Sequence, residues 1–387
     1  MHKDKFVFAQ LVEFLDNNKF SRLVAKYNGD FHVRSFTCWN QLLALMFGQL
    51  SGRESLRDLI ITLEAHKSKC YHLGFGSGVL TRTTFADANQ KRNYHIFEDF
   101  AFFMMDMARN ECAEEIFMLG GKIYAFDSTT IPLCLAIFAW AKFRKHKGGV
   151  KVHTLYDLEA QIPSFYHITS ASMNDAKAMQ VIPYEIGAYY IFDRGYNSFS
   201  ELARINRLEA FFVVRTKQNL KFKCLKWKRR LPKNILTDAE IQLTELVSQR
   251  KYPDRLRLVR FHDEEQNRDF SFMTNAMSLA AQQVADLYKN RWKIELFFKW
   301  LKLHLKIKKF WGTTENAVRI QISAAITAYC LIAIVQKKLH SKRTTYELLQ
   351  ILSASLMDKT PLQELLEKTE LPESVIQKTP FLPGFKF

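Results

Sequence analysis

The chain has 387 residues, a hydrophobic content of 48% and a formal net charge of +17. This length and apolar content are enough for a sizeable core and about two or three domains, and they exclude an intrinsically disordered chain. The excess of Lys and Arg favours a polyanionic partner such as nucleic acid, because basic side chains neutralise phosphates and release counterions.

The cysteines and the longest apolar run argue against a secreted or membrane protein. Six cysteines are dispersed without a Cys-x2-Cys pair, which predicts buried free thiols in a reducing compartment rather than a zinc ribbon or disulfide framework. No signal-peptide pattern follows Met1. The run 322–335 includes Ser323 and Thr327 and is too short to span a bilayer. It predicts a buried helix in a cytoplasmic protein.

The first 110 residues predict only helices. Ser51 and Glu54 have capping-box spacing before an apolar helix. Thr83 or Thr84 is expected to begin a second helix with a polar, basic surface. A helix, a turn and a basic helix are compatible with a helix-turn-helix reader of DNA, and equally with a solvated helix face.

From about residue 120 the pattern changes to short apolar runs typical of strands. Strands are predicted over 123–126, 150–156, 164–169, 189–192 and 210–214, and helices over 174–181 and 198–208. This order predicts an α/β sheet with covering helices. Asp127 and Asp193 follow two of the strands, and acids at the carboxyl ends of strands lie at the edge where sites form.

Residues 216–275 interrupt this order with a basic run and three further predicted strands, over 241–247, 255–261 and 269–274. Nine basic residues and no acidic ones lie from Arg215 to Lys233, with Phe222 and Trp227 between them. Such alternation suits binding of a nucleic-acid backbone with base stacking. A strand edge protected by lysines is the alternative. Residues 346–387 predict a short helical tail.

Four polar residues further along would share one face of a helix. At about 100° per residue, Tyr288, Arg291, Glu295 and Lys302 lie within a face roughly 60° wide. Apolar residues on the adjoining face predict that this helix packs on the core; they are Leu287, Ile294, Phe297, Phe298, Leu301 and Leu305. A carboxylate held among cations suits divalent-metal and phosphate chemistry.

Together these motifs resemble the DDE transposases of insertion sequences, in particular the IS-four family with its Y-x2-R-x3-E-x6-K signature. Asp127 in the run 124–130 matches the first catalytic aspartate of that family. Asp193 in the run 192–196 matches the second, and Glu295 matches the third acid. Three motifs in the right order are a specific signal, whereas one alone could arise by chance.

The resemblance covers residues 120–310, about half the chain, and implies the architecture. We expect an α/β fold with a ribonuclease-H-like catalytic core, interrupted by a β-rich insertion and preceded by an all-helical N-terminal DNA-binding domain. The expected parts are an end-binding domain (1–110), the core's first part (111–215), the basic insertion (216–275), the core's second part (276–345) and a helical tail (346–387).

The implied chemistry is metal-dependent phosphoryl transfer on DNA. Asp127, Asp193 and Glu295 would hold two Mg²⁺ ions, with Mn²⁺ as a substitute, and Asp127 would bridge both. The implied partners are double-stranded DNA, at the transposon ends and at the target, and a second copy of the chain in the DNA complex. No membrane partner is expected.

Several residues are expected to contact DNA, either by the same resemblance or by their place on the helix face or in the basic run. They are Tyr288, Arg291, Trp292, Lys299, Lys302, Lys306, Arg194, Tyr196, Arg215 and Lys217. For Arg194 and Tyr196 of the second motif, the alternative is that they orient their loop. In the family the signature Tyr, Arg and Lys contact a phosphate beside a base flipped out of the duplex. Trp292 is expected either to enter the vacated stack or to pack in the core. Phe270, Phe272 or Trp227 would supply a second stacking aromatic. The basic loop 142–151 is expected to grip DNA or to be solvated.

The implied function is binding of terminal inverted repeats, hydrolysis that exposes a 3′-hydroxyl, a hairpin on the element end, and attack on target DNA. The residues also leave other functions open. These are a nuclease of the same fold that cuts without joining, a non-catalytic DNA-binding protein derived from a transposase, and an RNA-processing enzyme.

Overall fold

The computed structural model describes residues 4–76, 80–144, 147–303 and 310–367. Its first part is helical. The helices are α1 Val7–Val12, α2 Asn17–Lys26, α3 Cys38–Leu50, α4 Leu56–Ala65, α5 Lys67–Cys70, α6 Arg82–Lys91 and α7 His95–Cys112. The amphipathic helix α2 begins where the Asp16 carboxylate accepts the backbone N–H of Lys19.

The predicted helix starts in this part are displaced. Ser55, not Ser51, caps α4, because its hydroxyl accepts the backbone N–H of Asp58 at 3.1 Å. Ser51 instead ends α3 and donates to the carbonyl of Phe47 at 2.7 Å. The capping-box prediction was therefore wrong. Thr81 caps α6 in place of the predicted Thr83 or Thr84.

The helix α6 presents fewer polar groups to solvent than its sequence suggested. Asn89 is buried and accepts a hydrogen bond from Gln41 at 2.7 Å. Arg92, directly after the helix, is buried as well and donates to the carbonyls of Phe36 and Thr37. These two side chains hold α6 to the segment around α3, so they are not available to read DNA.

The strands form one mixed sheet. They are β1 Ile123–Leu133, β2 Lys142–Arg144, β3 Lys147–Asp157, β4 Ile162–Ser170, β5 Tyr189–Phe192, β6 Phe211–Arg215, β7 Phe222–Trp227, β8 Ile235–Leu243, β9 Leu256–Asp263 and β10 Arg268–Thr274. The order is β2-β3-β1-β5-β6-β10-β9-β8-β7, and β4 also pairs with β3. The pairs β1–β5 and β5–β6 are parallel, whereas β1–β3, β3–β4 and β6–β10 are antiparallel.

The predicted insertion therefore continues the sheet, since β10 pairs directly with β6. The basic run contains β7, a largely exposed strand at one end of the sheet, as the alternative of a strand edge protected by lysines expected. One detail of the prediction there was wrong. The predicted strand 241–247 starts earlier, at Ile235, and its last residues belong to a helix.

Helices cover both faces of the sheet. They are α8 Asp175–Ala178, α9 Phe199–Arg207, α10 Leu246–Lys251, α11 Ala281–Asn290, α12 Trp292–Leu303, α13 Glu315–Lys338, α14 Thr345–Ser355 and α15 Leu362–Leu366. One hydrophobic core joins the N-terminal helices, α11 to α15 and one sheet face. A second core lies on the other face, beneath α8, α9 and α10.

The helix α13 is the centre of the first core and packs against α3, α7, α12 and α14. By length and composition alone it could cross a membrane, but 89% of its most apolar window is buried inside the protein. This confirms the predicted buried helix. The six cysteines are free, but only Cys38 and Cys330 are buried, and Cys134 is exposed. The prediction of buried thiols was therefore right for two of the six.

Candidate active site

Asp127 lies within a strand rather than after one. The strand β1 continues to Leu133, whereas its parallel pairing with β5 ends at Phe126 opposite Phe192. Beyond that point β1 pairs only with β3, and Asp127 stands opposite Thr154. The predicted position at a strand end was wrong for β1, but Asp127 still lies where the parallel part of the sheet ends.

Asp193 occupies the corresponding position on the neighbouring strand. It directly follows β5 and precedes a single 3₁₀ turn, Arg194–Tyr196. Because β1 and β5 are parallel and paired through Phe126 and Phe192, the two aspartates emerge at the same edge of the sheet.

The helix predicted to carry the third acid is two helices. The helices α11 and α12 meet at Arg291, which keeps helical dihedral angles (φ −55°, ψ −31°). The N–H of Arg291 and that of Ile294 donate three residues back, to Tyr288 and to Arg291. This tightened turn interrupts the single predicted helix. The predicted apolar face is confirmed for Leu287, Ile294, Phe297, Phe298 and Leu301, which are buried. Leu305 lies outside the described residues.

Arg291 binds two of the three acids. Its Nη1 donates to Asp127 Oδ2 at 2.8 Å, and its Nη2 donates to Glu295 Oε1 at 2.7 Å. The remaining acid, Asp193, accepts from the hydroxyl of Tyr288 at 2.8 Å and lies 3.9 Å from Nη1 of Arg215. Acids from β1, from the end of β5 and from α12 thus converge on one cation-rich spot.

The two aspartates have opposite electrostatic environments. Burial raises the pKa of Asp127 from 3.8 to about 6, in spite of the Arg291 charge and the N–H of Ser128. Burial acts in the same direction on Asp193, but there the N–H of Arg194, the Tyr288 hydroxyl and the nearby arginines lower its pKa overall. At this site the ionised form of Asp127 is therefore disfavoured, whereas the ionised form of Asp193 is stabilised.

Two tyrosines that were expected to contact DNA are buried. The Tyr288 ring packs against Phe272 at 4.6 Å, and burial raises its pKa to about 12. Tyr196 is 2% exposed, with its hydroxyl 3.5 Å from Asp127 Oδ1. Their hydroxyls lie against carboxylates, which agrees with the expected orienting role of Tyr196. DNA contact by either tyrosine stays a prediction.

A cavity of about 560 Å³, the site cavity, opens beside Glu295 and beside Arg291 and Tyr288, the residues that bind the two aspartates. Its wall includes Trp292 and Glu295 from α12, and Phe270 and Phe272 from β10. Trp292 is 49% exposed, so core packing does not explain it. Phe272 is buried and Trp227 lies on the distant edge strand β7, which leaves Phe270 as the partly exposed aromatic at this site.

The other residues predicted to contact DNA lie in two places, along α12 and at the ends of β5 and β6. Lys299 and Lys302 lie further along α12, with Lys299 exposed. Lys306 lies outside the described residues. Arg194 and Lys217 are exposed on the loops that follow β5 and β6, and Arg215 ends β6.

A known protein family matches the part of the chain that contains the three acids. A model of the transposase DDE domain matches residues 119–331, more than half of the chain, and a model of a domain of unknown function matches residues 3–76. A protein of Sinorhizobium fredii named as the transposase y4zB is 36% identical over 258 residues, which are 65% of this chain and 70% of that protein. The chain belongs to the DDE transposases of insertion sequences.

Two further relatives are named as transposases of insertion sequences. That of element IS5377 from Geobacillus stearothermophilus is 32% identical over 53% of this chain and 54% of that protein. That of element IS4SA from Synechocystis sp. is 28% identical over 72% of this chain and 78% of that protein. The structure of a piggyBac transposase synaptic complex with hairpin DNA aligns with 98% of this chain and 85% of that chain, at 11% identity. Its TM-score of 0.44 supports no argument.

Sequence reasoning missed a polar network behind the first acid of the transposase. The backbone N–H of Ser128 donates to Asp127 Oδ1 at 2.8 Å, and the Ser128 hydroxyl donates to Asp175 Oδ1, also at 2.8 Å. Lys151 donates to the same Asp175 oxygen at 3.0 Å. Lys151 is largely buried, so it does not grip DNA as its place in the basic loop suggested. The pairing of β1 with β3 brings Ser128 and Lys151 near each other, and Asp175 reaches both of them from α8.

Membership of this family implies that the transposase acts on DNA and depends on a divalent metal ion. Within the described ranges, no group of three His, Cys, Asp or Glu side chains lies close enough to hold one. The reason is visible at the site, since the guanidinium of Arg291 lies between Asp127 and Glu295. The donor set still fits Mg²⁺, because it offers carboxylate oxygens around one cationic position.

Proposed function

We propose that this transposase cuts DNA at the ends of its element and joins the exposed 3′-hydroxyl to target DNA, with Asp127, Asp193 and Glu295 as its catalytic acids. The observation that carries the proposal is the convergence of these three carboxylates on Arg291 and Tyr288, two of the four signature residues of the family. The DDE domain match across residues 119–331 supports it.

We further propose that β4, β3, β1, β5 and β6 form the ribonuclease-H-like core. Two antiparallel pairings followed by two parallel ones place the proposed acids of β1 and β5 at one edge. In this division the helices of residues 1–110 bind the element ends, and residues 216–275 bind DNA beside the core. The transposase acts in the cytoplasm, and a homodimer holds the two ends.

The three acids are proposed to hold two Mg²⁺ ions, with Mn²⁺ as a substitute. When bound, such ions activate the attacking oxygen and stabilise the leaving oxygen of phosphoryl transfer. Around them, Tyr288 keeps the Asp193 carboxylate in place, and Ser128 does the same for Asp127. Arg291 is then available for the DNA phosphate next to the cut, where a guanidinium binds with two parallel hydrogen bonds.

Trp292 and Phe270 are proposed to bind a base that leaves the duplex at the element end. Both line the site cavity and neither is fully buried. An unstacked base gains about 1–3 kcal/mol from an aromatic partner, whatever its identity. Lys299, Lys302 and Lys306 would bind the backbone on the α12 side of the cut.

The function is tested by incubating the purified transposase with a labelled duplex that carries one end of its own element. With Mg²⁺ we expect a nick at the boundary that leaves a 3′-hydroxyl, a hairpin on the element end, and joined product when target DNA is added. Nicks without joining would indicate a nuclease, and binding without nicks a non-catalytic DNA-binding protein. Cleavage of structured RNA in preference to the duplex would indicate an RNA-processing enzyme.

Removal of the Asp175 side chain should slow the transposase without unfolding it. We expect Asp175→Ala to lower the cleavage rate about tenfold, because partners behind metal ligands typically contribute that much. Asp175→Asn retains an acceptor for the Ser128 hydroxyl and should lose less. Asp254→Ala, at an exposed aspartate that accepts a hydrogen bond from Asn206 at 3.1 Å, is the control. Equal rates for the Asp175 variants and this control would refute the positioning role.

The metal requirement should depend on pH in a particular direction. Because the pKa of Asp127 is raised to about 6, its carboxyl group is protonated below that pH and must release the proton to bind metal. The Mg²⁺ concentration for half-maximal cleavage should therefore rise about tenfold for each unit below pH 6 and level off above about pH 7. Rates measured over a Mg²⁺ series at several pH values test this, and a requirement independent of pH would contradict it.

A further inference from the structure

A second cavity, of about 930 Å³, lies on the other side of the sheet from the site cavity. Asp269 and Ser271 of β10 line this rear cleft, whereas Phe270 and Phe272 line the site cavity. Successive side chains of a strand point to opposite faces of the sheet. The two cavities are therefore separated by the thickness of β10 and its neighbours.

Three side chains form a divider between the two cavities. Arg215 and Arg268 line both of them. Their guanidinium groups lie 4.9 Å and 5.5 Å from the centre of the Phe270 ring. One end of the divider lies at the site itself, since Arg215 is 3.9 Å from Asp193.

The rear cleft has the chemistry of a single-strand binding site. Its cationic lining residues are Arg194, Arg215, Lys217, Arg260 and Arg268. Among the described residues that line it, Asp269 is the only acid, and it is already bound by Arg260 at 3.4 Å and His262 at 2.8 Å. Phe222, 38% exposed, adds an aromatic surface. Cations with an exposed aromatic bind a phosphate backbone and stack its bases.

We propose that the rear cleft binds one DNA strand of the opened element end while the strand to be cut lies in the site cavity. The Arg215–Phe270–Arg268 divider keeps the two strands apart at the cleavage point. Opening the duplex costs free energy because bases must unpair and unstack, and phosphate contacts in the cleft offset this cost. This proposal rests on the proposed function. It assigns a DNA strand as the ligand of the rear cleft, a surface that the cleavage chemistry itself does not need.

The test uses the double variant Lys217→Ala/Arg260→Ala, which changes the cleft and leaves the divider and the acids intact. The control is Lys177→Ala/Arg207→Ala, which removes the same charges from two exposed positions on α8 and α9. Each protein, at saturating concentration and in Mg²⁺, is given a fully paired element end and the same end with mismatched bases around the cleavage point.

We expect the cleft variant to cleave the paired end about tenfold more slowly than the control, equivalent to ~1.4 kcal/mol. It should cleave the mismatched end within about twofold of the control, because that end is already open. A fluorescent 2-aminopurine at the cleavage point should brighten less with the cleft variant than with the control. Equal slowing on both ends, or no slowing on either, would overturn the proposal. Failure of the proposed function is distinguishable, because the unmodified transposase would then cleave neither end.

Discussion

Asp127→Asn should abolish cleavage at the element end, with a loss of about a thousandfold or more. The substitution keeps the size of the side chain but removes a negative charge that is proposed to bind metal, and such metal contacts supply several kcal/mol of transition-state stabilisation. Binding of the element end should be equal or tighter, because a carboxylate that repels the phosphate is lost. Cleavage rates and binding constants for the same labelled end measure the two effects.

The matched control for this variant is Asp286→Asn. Asp286 lies on α11, two residues before Tyr288, and accepts a hydrogen bond from Gln282 at 2.9 Å. Within the part of the chain that the structure describes, Asp286 bonds to none of the proposed acids, so its substitution should leave the cleavage rate within about twofold. If Asp127→Asn kept its rate within tenfold of this control, Asp127 would not be a metal ligand.

Arg291→Ala should destabilise the metal-free transposase and make it unusually responsive to Mg²⁺. Arg291 and Asp127 are only 14% and 23% exposed, so removing the guanidinium leaves a half-buried carboxylate without its cation. We expect a loss on the order of 2 kcal/mol in EDTA, below the value for a fully buried pair because Glu295 is more than half exposed. Mg²⁺ should then restore more stability than it gives the unmodified protein, since no guanidinium competes for the acids.

Arg319→Ala provides the control for the arginine. Arg319 pairs with Glu315 four residues earlier at 2.8 Å, with exposures of 17% and 53% that closely match those of Arg291 and Glu295. Its loss should lower stability by the same amount with and without Mg²⁺. Melting temperatures in EDTA and in Mg²⁺ measure both variants. An equal Mg²⁺ response would show that Arg291 does not occupy the metal position.

The sequence predicted those parts of the fold whose pattern is local. The four residues of β5 are all apolar and buried, and the strand was predicted with its observed bounds. The strand β1 was predicted too short, because Ser128, Thr129 and Thr130 interrupt its apolar run while the backbone continues to pair with β3. A polar segment of a strand is recognised by its partner, which sequence periodicity does not supply.

The candidate site, too, was predicted only where the sequence pattern is local or matches the family. The three acids and the signature arginine were assigned from the resemblance, and the structure brings them to one place. The break of the helix at Arg291 has no Pro or Gly to mark it in the sequence. The Ser128–Asp175–Lys151 network and the rear cleft depend on strand pairing between distant segments, which no local pattern encodes.

One measurement tests the central claim most directly, that three acids gathered around Arg291 catalyse metal-dependent cleavage. A labelled duplex with one element end is incubated with unmodified transposase, Glu295→Gln or Glu315→Gln, in Mg²⁺ or in EDTA, and the products are separated on a denaturing gel. Glu315 is the control because, like Glu295, it is more than half exposed and paired with an arginine four residues away. We predict boundary cleavage in Mg²⁺ by the unmodified protein and Glu315→Gln, and none by Glu295→Gln or in EDTA. Cleavage by Glu295→Gln at the rate of Glu315→Gln would contradict the account.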